Sequence, residues 1–126
     1  MGPKEAEKVL EILAAMGDLE LAMADFYSAC GKTWQVDRLF WSNIAAAELL
    51  HAENLVQMAK RLRENPSSFE LGRPFSTTAI QTSIQGIKGN ILKLERGELS
   101  RKQVLFLARD IEMSILESKY KELLKT

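Results

Sequence analysis

The stretch Ile44-Ala45-Ala46-Ala47-Glu48-Leu49-Leu50-His51-Ala52-Glu53-Asn54-Leu55 decides the fold class. It is built from strong helix formers and contains neither Gly nor Pro. Extended in both directions, it gives a stripe of Phe40, Ile44, Ala47, His51, Leu55, Met58 and Leu62, spaced by threes and fours as one face of a helix requires. The spacing predicts a helix over residues 34–64, with Thr33 able to cap its start and Lys60, Arg61 and Arg63 suited to its negative end.

Working outward, the same period runs through Val9, Ile12, Leu13, Met16, Leu19, Met23 and Tyr27, which predicts a helix over residues 4–30 closed by Gly31. The connection between these two helices is short, so they should pack antiparallel. Downstream, residues 65–75 hold Pro66, Gly72 and Pro74 and read as a linker. Its eleven residues reach about 36 Å when extended, enough to return the chain along a bundle. Ser76 can cap a third helix over 77–96, with Ile80, Ile84, Ile87, Ile91 and Leu94 on its stripe and Gly97 at its end. Ser100-Arg101-Lys102-Gln103 is a capping box for a fourth helix reaching to about Leu124. The expected fold is therefore all-α, one four-helix bundle domain over residues 1–126 with one long crossover connection.

Composition narrows the function. The 126 residues are 46% hydrophobic and 27% charged, which suits a packed core. Lys plus Arg number 17 and Asp plus Glu number 17, so no basic excess points to nucleic acid. No apolar run is long enough to span a bilayer, and residues 1–11 are too charged for a signal peptide, so the expectation is a cytoplasmic protein. A single Cys and a single His exclude an intrachain disulfide, a multi-cysteine metal site and any site needing two histidines from one chain. Cys30 reads as a small apolar residue.

Polar residues interrupt the stripes at mid-helix. Glu20 falls between Met16 and Met23, Glu48 and His51 between Ile44 and Leu55, and Glu112 on the face of Leu105, Ala108 and Ile115. A bundle would gather three carboxylates and one imidazole at one depth. Two carboxylates about 4 Å apart repel by about 4 kcal/mol at an effective dielectric of about 20, so such a cluster calls for protons, a basic side chain or a metal ion. Lys88, Arg109 or Lys119 could supply the base from the bundle flank. Three oxygens and one nitrogen suit iron, manganese or zinc. A metal-bound site and a metal-free core both fit these residues.

Leu19-Glu20-Leu21-Ala22-Met23-Ala24-Asp25-Phe26-Tyr27 and Ala46-Ala47-Glu48-Leu49-Leu50-His51-Ala52-Glu53 resemble the first two helices of rubrerythrin-like proteins in the ferritin-like di-iron carboxylate superfamily. The resemblance covers about half the chain. It implies a ferritin-like bundle, metal ligands at Glu20, Glu48, His51 and Glu112, and Tyr27 close to the metal centre. The second half departs from the family pattern. Ile87 and Ile115 stand where the resemblance places the terminal ligands of a second metal. The expectation is a half-kept site binding at most one ion, with weak or absent redox activity and no catalytic residue assigned. A peroxide-reducing or iron-oxidising enzyme, and a metal-free dimerisation or regulatory module, are the alternatives. Any redox role would need an external electron donor, since no Cys-rich electron-transfer segment is present. Trp34, Phe40 and Trp41 form an aromatic group from which a homodimer contact is expected.

Overall fold

Gly31 and Trp41 set how the first two helices meet. The computed structural model describes residues 2–68, 70–71, 76–112 and 124–125. Helix α1 spans Pro3–Thr33 and α2 spans Arg38–Glu64, joined through a 3-10 turn at Gln35–Asp37. A Cβ on Gly31 would lie 3.3 Å from Trp41 Cβ, so the glycine leaves the space α2 occupies. That use of Gly31 corrects the expected cap. The helix runs on to Thr33, and the Trp34 N–H donates to Cys30 O at 3.0 Å. Thr33 does not cap α2 either, because its hydroxyl donates back to Ala29 O at 2.9 Å.

Helix α1 is the central element and packs against α2, α3 and α4. Its expected stripe, Val9 to Tyr27, is buried in full, and Ala15, Ala22 and Phe26 bury a further side. Helix α2 sits differently from its predicted face. Trp41, Ala45, Glu48, Ala52, Leu55, Ala59 and Leu62 are buried, while Phe40 and Ala47 are exposed and Ile44, His51 and Met58 half-buried. The buried face is rotated by roughly 70° from the predicted one, taking about 100° per residue. Alanines at 45, 52 and 59 explain the choice, since small side chains let two helix backbones come close while Leu55, Leu62 and Trp41 fill the space between.

Helix α3 spans Thr77–Glu95, and its Ser76 cap accepts the Ala79 N–H at 3.3 Å as expected. Gly97, at φ +73°, ends it, with Gly97 N–H to Leu94 O and Glu98 N–H to Lys93 O closing the last turn. Helix α4 is described over Arg101–Glu112, and its capping box is reciprocal: Gln103 N–H to Ser100 Oγ at 3.1 Å and Ser100 N–H to Gln103 Oε1 at 2.8 Å. The expected extent of this helix is corrected at its far end. Leu124–Lys125 (β2) pairs antiparallel with Glu70–Leu71 (β1), and residues 113–123 lie outside the described residues. Apart from that two-residue pairing, the described architecture is all helical.

The connection between α2 and α3 is a second correction. Asp25, Ser28 and Lys32 near the end of α1 share a groove with Ile91, Leu94 and Glu95 at the end of α3. Helices α1 and α3 therefore run the same way, and α3 starts at the end of the bundle where α2 finishes. The order is up, down, up, down, and no crossover along the bundle is required. Arg101 fixes the start of α4 beside the α1–α2 turn, donating through Nε and Nη2 to both carboxylate oxygens of Asp37 at 2.6 Å each. That pairing holds the Asp37 carboxyl below its ordinary range.

Trp41 itself is fully buried, stacked on Tyr27 at 5.8 Å between ring centroids and edge-on to Phe40 at 5.0 Å. It belongs to the core and not to a contact surface, which corrects the expected role. The exposed apolar residues nearby are Val36, Leu39 and Phe40.

Two tests follow from this packing. Trp41→Ala should cost about 3–5 kcal/mol in urea unfolding, as truncation of a fully buried aromatic does. The Asp37–Arg101 clamp should contribute fully above the ordinary carboxylate range of about 4 and be lost as pH falls through the lower folded value. Thermal unfolding from neutral to acid pH should show the native chain losing its advantage over Asp37→Asn as the pH drops.

Candidate metal centre

Glu20 on α1 and Glu48 on α2 face each other across the helix pair because Gly31 and Trp41 fix its rotation. They are 2% and 1% exposed, the two charged side chains inside the described core. His51, one turn beyond Glu48, reaches back from the half-open flank. Its Nδ1 lies 3.3 Å from Glu48 Oε2 and 3.6 Å from Glu20 Oε2. One ligand atom from each residue falls within 4.8 Å of the other two.

At such separations two ionised carboxylates repel by about 3–4 kcal/mol even at an effective dielectric of about 20. One imidazolium between them balances one charge of two. A divalent cation would balance both and accept two oxygens and one nitrogen, a donor set that iron, manganese and zinc all take. Three protein ligands with one partly exposed flank leave positions open for water or a small ligand, the pattern of a site that can exchange what it binds. The side chain of His51 is 32% exposed and forms that flank.

Glu112 stands outside this group of three. Its Oε1 accepts the Tyr27 hydroxyl at 2.6 Å, which ties α4 to the α1 core. Ile87 is buried on α3, and Ile115 lies outside the described residues. Of the possible neutralising bases, Lys88 and Arg109 are exposed and Lys119 lies outside the described residues. Cys30 is buried in the core, and burial pushes its thiol up to about 12.

Comparison of the chain with protein-family models, curated proteins and solved structures finds no match.

One pairing away from the site escaped the sequence reading. Asp37 pairs with Arg101 from 64 positions away, a contact that no local pattern announces.

Tyr27→Phe should lower stability by about 1 kcal/mol, since it removes one hydrogen bond to a carboxylate that water can still reach. Urea unfolding of Tyr27→Phe, Glu112→Gln and the double variant would check it, the double costing less than the two singles added. Cys30 should resist iodoacetamide at neutral pH in the folded chain and react on unfolding, because little thiolate forms while it is buried. Mass spectrometry against time and denaturant would show this.

Proposed function

We propose that this chain binds one divalent metal ion through Glu20, Glu48 and His51, as a rubrerythrin-like protein that has kept half of a di-iron carboxylate site. The convergence of three ligating side chains from two helices, two of them buried carboxylates, carries the reading. The motifs behind the family resemblance lie on α1 and α2, the same pair that forms the site. The order of the helices differs from the ferritin-like crossover, so the proposal rests on that pair and not on the whole bundle. Glu112, held by Tyr27, is the candidate fourth ligand from α4.

The ion would supply Lewis acidity at its open positions. Glu20 and Glu48 would hold it by charge, and His51 would orient it from the solvent-facing flank. With isoleucine at positions 87 and 115, a second ion has no terminal ligands there, so peroxide-reducing and iron-oxidising turnover should be weak or absent. Any electrons would have to come from an external donor. We further propose a homodimer, since Leu39, Leu49, Leu50 and Val56 on α2 are each more than half exposed. No described helix is long and apolar enough to cross a membrane.

The test is metal analysis of protein purified without chelator, followed by calorimetric titration with Zn²⁺, Mn²⁺ and anaerobic Fe²⁺. One ion per chain is expected, and at about a hundredfold excess of ligand over Kd the fold should gain about 2.7 kcal/mol. Glu20→Gln, Glu48→Gln and His51→Ala should each abolish that gain while remaining helical. Absence of any metal-dependent stabilisation, or two ions per chain with rapid peroxide turnover, would overturn the proposal.

A further inference from the structure

The closed end of the helix pair carries a notch of the opposite charge. A cavity of about 180 Å³ lies where α1 ends and α2 begins. Buried Tyr27 and Gly31 line it from beneath, and exposed Ser28, Lys32, Arg38 and Ser42 form its walls. Ser28 and Lys32 are one turn apart on α1, and Arg38 and Ser42 are one turn apart on α2. Each helix therefore brings one base and one hydroxyl to the same space. None of the residues lining it is acidic.

Two bases facing one small space repel, as the two carboxylates do deeper in the pair, and the acids nearby do not relieve them. Asp37, next to Arg38 in the chain, gives both of its carboxylate oxygens to Arg101 at 2.6 Å. Asp25 and Glu95 border the adjoining α1–α3 groove together with Lys32, and neither pairs with it among the described residues. Arg38 likewise forms no ion pair among the described residues. The rim itself is tied down. Gln35 Nε2 donates to Lys32 O at 3.3 Å, and the Ser42 hydroxyl donates to Leu39 O at 3.2 Å. The Ser28 hydroxyl makes no hydrogen bond among the described residues, so it is available as a donor beside the two bases.

We propose that this notch binds a phosphate group, free or as a monoester, with Lys32, Arg38 and the Ser28 hydroxyl on its oxygens. A phosphate group carries about two negative charges near neutral pH and so balances both bases at once, which a single carboxylate does not. The planar guanidinium fork matches two phosphate oxygens, and the ammonium serves as a point charge on a third. The cavity is smaller than the roughly 300–1,000 Å³ of sites for drug-sized ligands, so it fits the phosphate group itself and not a whole nucleotide. The inference goes beyond the metal centre and does not depend on metal binding.

Titration of the isotope-labelled full chain with sodium phosphate, followed through amide shifts by NMR at one pH and one ionic strength, tests it. Saturable shifts confined to residues 28–42 are expected, with a Kd of about 1 mM or below, and sodium chloride should produce none. Lys32→Gln and Arg38→Gln, each checked by circular dichroism for helicity, should weaken binding by about tenfold or more. Lys60→Gln, at the other end of α2, should leave it unchanged. Glycerol phosphate separates the two sources: binding as tight as phosphate or tighter assigns the notch to a monoester, and weaker binding assigns it to the free ion. Shifts that stay linear throughout the phosphate titration, or a Kd that is the same in Lys32→Gln and Arg38→Gln as in the native chain, overturn the proposal.

Discussion

The contact between Gly31 and Trp41 is the constraint on which the rest of the molecule depends. With no side chain at Gly31, the indole of Trp41 lies against α1 and stacks on Tyr27. That contact sets both how far α2 is rotated and how it is registered along α1. The residue two turns below Trp41 on the same face is Glu48, and it arrives opposite Glu20. The buried carboxylates are thus a consequence of aromatic packing one end of the helix pair away.

Burying two acids side by side works against stability, and their neighbours show how the molecule accommodates them. His51 stands on a partly open flank of the pair, its Nδ1 within 4 Å of both carboxylates. A cation held between them would reduce the repulsion, and Met16, Met23 and Leu55 on the stripe around them are closed off from solvent.

The second pair of helices is attached by specific polar links as much as by apolar contact. The described part of α4 buries only Val104 and Ala108. Its start is held by the two-pronged pairing of Arg101 with Asp37, and its other described end by Tyr27 and Glu112. These links are directional, so they fix where α4 lies even though its buried area is small. They also bring a third carboxylate to the edge of the core, outside the group of Glu20, Glu48 and His51 that could hold an ion.

The sequence by itself determined the four helical stretches, the ends marked by Ser76, Gly97 and Ser100, and the inward face of Glu20 and Glu48. These are local properties: Ser76, Gly97 and the Ser100–Gln103 box act within a few residues, and the spacing of Glu20 from Met16 and Met23, and of Glu48 from His51, follows from the pitch of each helix. The tertiary structure alone decided the face that α2 buries, the direction of α3 and the partner of Glu112. Hydrophobic periodicity favoured Phe40 and Met58 on α2, but the close fit of alanines and Trp41 on α1 won over it, because packing depends on shape as well as on polarity. The length of the 65–75 linker allowed a crossover without requiring one, since a chain able to span a bundle can equally turn back at its end. Asp37 with Arg101 and Tyr27 with Glu112 join residues far apart in the chain, and such contacts exist only once the helices have been set side by side.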